Sequence, residues 1–352
     1  ARVAASPFFE SIVHYLEPDV NIDDFRQKFL QIKTVREFQT QIMFKAIWDI
    51  VHKSATGLTH EGFDKLRPDK RYLFIANHRD ILLDAALLQI LLFEHGLETS
   101  EITFGSNLMQ GGLVIDIGKM NKMFRIVRGN TAHDFYRNSM EVSSYIRYAL
   151  TEKHQSIWIA QRNGRTKNGS DKTESAVLKM FSISSSLPFT ENLGELNITP
   201  VAISYEFEPC DFLKAQELYI SQYQQYIKEP GEDLRSILKG ITQPKGHIHL
   251  TVTPTITPEE LDCCARKVKN ERFFQLAGII DKRIQSGYQL WNNNYVAYDI
   301  LHNSNQYADR YTPVQKTEFI DYMNEGLRQL QGDMEELRSI FLGIYANGVR
   351  ER

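Results

Sequence analysis

Between residues 71 and 256, short apolar runs alternate with helical patterns in an order that leaves few architectures open. Runs near 71–77, 101–105, 124–128, 155–161, 198–205 and 247–256 predict strands, and helical spacing of apolar residues over 81–94, 133–152 and 174–182 predicts helices. Strands joined through helices pair in parallel, so the expected class is α/β, an α/β sandwich around a central mixed sheet. Upstream, Phe25, Phe29, Ile32, Phe38, Ile42, Ile47 and Val51 recur at helical intervals. Downstream, Thr257-Pro258-Glu259-Glu260 and Thr312-Pro313-Val314-Gln315 each place a capping threonine before a proline at the first helical position. The expected division is a helical region over 1–55, an α/β domain over 56–256 and a helical region over 257–352 packed on the core. Segments near residues 230 and 240, such as Glu229-Pro230-Gly231-Glu232, read as connecting loops.

At 352 residues and 42% hydrophobic content the chain is long enough for one large core with appendages. A net charge of -3, from 41 basic and 44 acidic residues, argues against a nucleic-acid partner held by a global cationic field. Cys210, Cys263 and Cys264 show neither CxxC spacing nor an even framework, which suits a reducing, cytoplasmic setting. The first residues lack a signal-peptide apolar core, and the richest apolar stretch, Ile81 to Phe93, is interrupted by Asp84 and Gln89. No span is expected, and peripheral docking on the inner face of a membrane stays open.

The most chemically loaded position is His78. It follows the run Tyr72 to Asn77 and precedes Arg79-Asp80-Ile81-Leu82-Leu83-Asp84, so an imidazole stands at a strand-to-helix junction with two carboxylates in reach. A helix starting near Ile81 puts Asp80 at its N-cap and Asp84 one turn in. Asp84 interrupts a leucine-rich stretch, where an unpartnered carboxylate is expensive to bury. Whichever acid lies within about 3.2 Å of the ring is the partner of a general base. The same three residues, His78-Arg79-Asp80, also begin a kinase-type catalytic loop. That reading fails, because the metal-binding asparagine would fall at Ala85 and no Asp-Phe-Gly follows.

Other stretches carry cations at strand ends. Met123 to Gly129 presents Arg128 at a glycine turn, and Ile157-Trp158-Ile159-Ala160-Gln161 runs into Arg162-Asn163-Gly164-Arg165-Thr166-Lys167. Glycine there lets backbone N–H groups approach an anion while arginine grips its oxygens. His247 and His249 alternate on one strand face without a third convergent ligand, so they read as surface or hydrogen-bonded strand residues and no metal is expected.

In order and spacing these blocks resemble the four motifs of the glycerolipid acyltransferase superfamily over roughly residues 70–256. Asn77-His78 with Asp84 resembles the first, although five residues separate histidine and aspartate where the family has four. Phe124 to Gly129 with Arg128 resembles the second. Asn163-Gly164-Arg165-Thr166 resembles the third, with Asn163 where the family has glutamate, and Thr199-Pro200-Val201-Ala202-Ile203 resembles the fourth. His78 to Asp84, Gln161 to Thr173 and Tyr205 to Asp211 look most like bacterial acyltransferases of the Bacteroidetes type. The resemblance implies a glycerol-3-phosphate acyltransferase-like fold and one-step acyl transfer from acyl-CoA or acyl carrier protein to a glycerol-3-phosphate or lysophospholipid-type acceptor. It implies no other cofactor. His78 would be the base, with Asp84 or Asp80 behind it; Arg128, Asn163, Gly164, Arg165, Thr166 and Pro200 would meet substrate, and Val201 to Tyr205 would line the acyl groove. The altered first and third motifs leave two other readings: an amino-acid lipid head group as acceptor, or a lipid-binding protein without turnover.

Overall fold

In the computed structural model, which describes residues 1–106, 108, 112–127, 129 and 131–350, seven strands form one sheet in the order β1-β7-β6-β2-β5-β3-β4. The strands are β1 Ala55–Glu61, β2 Leu73–Ala76, β3 Glu101–Gly105, β4 Met123–Ile126, β5 Ile157–Ala160, β6 Ile198–Tyr205 and β7 Gly246–Val252. All pairs are parallel except β6 with β7. The sheet is mixed, as expected.

The central strands are apolar at every position because both faces are covered. In β2, Leu73 and Ile75 pack with Ile146, Leu178 and Ile280 from helices Ala132–Thr151, Ser175–Ser182 and Glu271–Gly287. Phe74 and Ala76 turn to the other face, against Ile47, Leu87 and Leu91 from helices Phe44–Ser54 and Leu83–Glu94. The C-terminal helices share a further core around Phe319, Phe341 and Tyr345. Both anticipated capping boxes form, at Thr257 with Glu260 and at Thr312 with Gln315.

The structure departs from expectation in three places. The helical pattern upstream is broken into Ile22–Gln31, Val35–Phe38, a π-helical turn Gln39–Met43 and Phe44–Ser54, with Thr34 capping the second piece. β1 follows, unforeseen, as an edge strand on β7. Residues 232–242 form a helix rather than a loop, and 224–231 and 243–245 are the connections. Gly240 belongs in that helix because its backbone lies against Asp80; a Cβ there would stand 2.2 Å from Asp80 Oδ2.

Candidate active site

The site begins where β2 stops. Asn77 replaces a strand bond with its side chain: Oδ1 accepts the Ile203 N–H at 2.8 Å, and Nδ2 donates to the Ile203 carbonyl and to Asp171 Oδ2. The backbone is thus pinned to β6 one residue before His78. The His78 carbonyl in turn accepts the Thr166 N–H at 2.7 Å, tying this turn to the loop after β5.

His78 Nδ1 lies 2.8 Å from Asp84 Oδ2. That carboxylate is almost sealed, and it accepts every bond offered to it: Oδ2 also takes the N–H groups of Arg79 (2.6 Å) and Asp80 (2.9 Å), and Oδ1 takes the Tyr205 hydroxyl (2.8 Å). An acid with this donor set holds the imidazole with its proton on Nδ1 and leaves Nε2 toward the cavity the ring lines. Burial and the Asp84 charge push the Tyr205 hydroxyl well above its ordinary pKa, so it stays a donor. The ring of His78 meets Trp158 edge to face, with centroids 5.6 Å apart.

Asp80 does different work. Its Oδ1 accepts the N–H groups of Leu82 and Leu83, both at 2.8 Å, the capping bonds expected of it, and the helix runs from Leu83. Burial, then the neighbouring Asp84, raises its carboxyl above the usual range, and Arg165 partly offsets this. Asp84 is therefore the acid on the ring.

Behind the turn lies a buried ionic network. Arg79 reaches Asp171 at 2.6 Å and Glu208 at 3.1 Å, and Lys214 reaches Glu208 at 2.6 Å. Burial opposes the Arg79 charge, but Asp171 and Glu208 outweigh it and carry its pKa well above normal. Asp171 also accepts the Thr166 hydroxyl at 2.7 Å, so one carboxylate clamps the histidine turn and the cation loop together. Gly169, at φ +80°, lets this loop pass against Ile344, where a Cβ would lie 2.0 Å from the carbonyl oxygen.

The cavity is about 520 Å³, within the usual range for a ligand pocket, and mostly apolar. His78, Asn163, Gly164 and Arg165 line it. Arg165 Nη1 and Arg162 Nε are buried without a hydrogen-bond partner. Thr166 is fully buried and supports the loop instead of facing the cavity. Pro200 sits inside β6, where its carbonyl accepts from Thr253, and is not on the wall. Nor are Val201 to Tyr205, which pack in the core, so the expected acyl groove does not run along β6. Arg128 lies outside the described residues. His247 bonds Glu206 and Thr56, and His249 bonds Thr59 and Thr251, as strand residues.

Sequence reading missed Tyr205, Asp171, Glu208 and Lys214 as supports. The only signal for Asp171, Tyr205 and Glu208 was membership in the blocks 161–173 and 205–211, and Lys214 had none.

A histidine–carboxylate pair at the carboxyl end of a parallel strand, facing an apolar cavity with a cationic loop, is a site built for general-base chemistry on an apolar substrate. Residues 57–204 match the family model described as Acyltransferase, which spans the histidine turn and the cation loop. The chain therefore carries an acyltransferase domain over residues 57–204. Among solved structures it is similar to the 1-acyl-sn-glycerophosphate (LPA) acyltransferase PlsC from Thermotoga maritima, at 12% identity and a TM-score of 0.40, over 80% of this chain and 88% of that one. No curated protein matches it. No helix among the described residues is long and apolar enough to cross a membrane.

Proposed function

We propose that the protein moves a fatty acyl group from acyl-CoA or acyl carrier protein to a glycerol-3-phosphate or lysophospholipid-type acceptor, in phospholipid biosynthesis. His78 Nε2 takes the proton of the acceptor hydroxyl while that oxygen attacks the thioester carbonyl. The C–S bond breaks, and the proton passes from His78 to the departing thiolate. Asp84 holds the ring and stabilises the imidazolium. The observation that carries this reading is the 2.8 Å His78–Asp84 pair on the wall of an apolar cavity.

Arg165, with a buried Nη1 that lacks a partner, supports an anionic acceptor held beside the base. Asn163, uncharged where the superfamily has glutamate, supports a second reading in which the acceptor is an amino-acid lipid head group. Exposed Phe8 and Leu30 on the N-terminal helices support peripheral contact with the cytoplasmic face of a membrane, where such acceptors lie. The test is an acceptor screen with a long-chain acyl-CoA, comparing glycerol-3-phosphate, lysophosphatidate and lyso-amino-lipids in the parent and in Arg165→Ala. A raised acceptor KM in the variant supports the anion role; an unchanged KM removes it.

A further inference from the structure

The cavity does not lie on one side of the sheet. Four consecutive residues of β3, Ile102 to Gly105, and three of β5, Trp158 to Ala160, all line it. Successive residues of a strand point to opposite faces, so a void on one face alone would meet every second side chain. The register explains the pattern. β3 pairs with β5 only at Glu101–Ile102 and Ile157–Trp158; beyond that, Thr103 to Gly105 pair with β4, and Ile159 and Ala160 pair with β2. The two strands part, and the cavity passes between them.

Its walls on the two faces differ. On the face of helix Leu83–Glu94 it ends among Phe44, Ile47 and Ala86, which belong to or pack on that core. On the other face it is lined by Val142 and Met180, then by half-buried Asn138 and Ser139 and by Phe135, which is 58% exposed. The first end is apolar at Met43, Phe44 and Ile47, with the Lys228–Asp233 ion pair also on the lining. The second reaches solvent.

We infer that the gap between β3 and β5 is the binding site for the pantetheine arm of the acyl donor, an inference that rests on the acyl-transfer reading of the cavity. Among the described residues no strand faces the parted edges of β3 and β5 beyond Ile102 and Trp158, and backbone groups at such an edge require partners. A bare hydrocarbon offers none. The pantetheine arm is extended and carries two secondary amides, so it can bond to these edges much as an added strand does. His78, edge-on to Trp158 at the last paired position before the strands part, then meets the thioester. The fatty chain continues among Met43, Phe44 and Ile47, and the nucleotide or carrier protein stays outside on the face of Phe135, Asn138 and Ser139.

The test uses unreactive S-alkyl-CoA photoprobes on the full chain, with labelled residues mapped by peptide. In one the diazirine sits in the pantetheine arm, in the other at the end of the alkyl chain. The arm probe should label Thr103 to Gly105 or Ile159 and Ala160, and the chain-end probe should label the Phe44–Ile47 end. Alkyl-loaded carrier protein should compete for the same labels if it is the donor; free CoA competing better assigns the arm to CoA. Ala160→Leu, with melting measured to confirm folding, should raise donor KM about tenfold and leave acceptor KM unmoved. Chain-end labelling in the gap, or an unchanged donor KM in folded Ala160→Leu, overturns the inference. Labelling needs no turnover, so His78→Ala should label like the parent. Absence of both labelling and turnover in the parent would instead overturn the acyl-transfer reading itself.

Discussion

Tyr205 donates its hydroxyl to Asp84 Oδ1 at 2.8 Å, on the carboxylate oxygen that His78 does not use. The base is thus held by two buried side chains in series, Asp84 and then Tyr205 from the end of β6. Tyr205→Phe keeps the ring packing and removes only the donor. Without that bond the Asp84 carboxylate is less firmly placed against the ring. We expect kcat to fall about ten- to a hundredfold with KM little changed, as for loss of a hydrogen bond to a charged group. A purely structural role would lower the melting temperature and leave kcat of the folded variant in place.

Asp84 and Asp80 should separate cleanly. Asp84→Asn presents an amide to the ring nitrogen and should cut kcat about 10²- to 10⁴-fold. Asp80→Asn keeps an oxygen for the Leu82 and Leu83 N–H groups and relieves a buried, raised carboxyl, so activity should stay within about threefold of the parent. Equal losses in the two variants, measured under saturating substrate, would contradict the assignment of the acid.

Arg79 is the keystone of the ionic network. Arg79→Ala leaves Asp171 and Glu208 buried with less compensation and should cost about 3–5 kcal/mol in urea unfolding. A cost below about 1 kcal/mol would show that water takes over the role of the guanidinium.

Much of this was legible because physics left the chain little choice. Strands β2, β5 and β6 are buried on both faces, so they had to be continuous apolar runs. Asp84 stood out because a carboxylate amid leucines needs a partner. β1 escaped notice because an edge strand pairs through its backbone, and Thr56, Thr59, His60 and Glu61 give it no apolar signature. The helix over 232–242 was hidden by Gly231 and Gly240, the latter a glycine chosen for its fit against Asp80. Tyr205, Asp171, Glu208 and Lys214 reach the histidine turn from 92 to 135 residues away, and nothing local marks them.

Asp211 should give stability a pH dependence of its own. Burial pushes its carboxyl from 3.8 to about 6, against the bonds from Tyr345, Tyr322 and Gln243 that favour its charge. A raised acid binds its proton more tightly when folded, so this contribution is complete below about pH 3.8 and is lost as pH rises through about 6. Comparing denaturant unfolding of parent and Asp211→Asn, the parent should lose about 3 kcal/mol relative to the variant between pH 4 and 7. Parallel curves would contradict it.

The central claim is that His78 is the base. Purified His78→Ala and parent, matched for folding by circular dichroism and melting temperature, should be assayed with long-chain acyl-CoA and the best acceptor from the screen. A fall in kcat of about 10²- to 10⁴-fold or more in the folded variant is the predicted result. Activity equal to that of the parent would contradict the account.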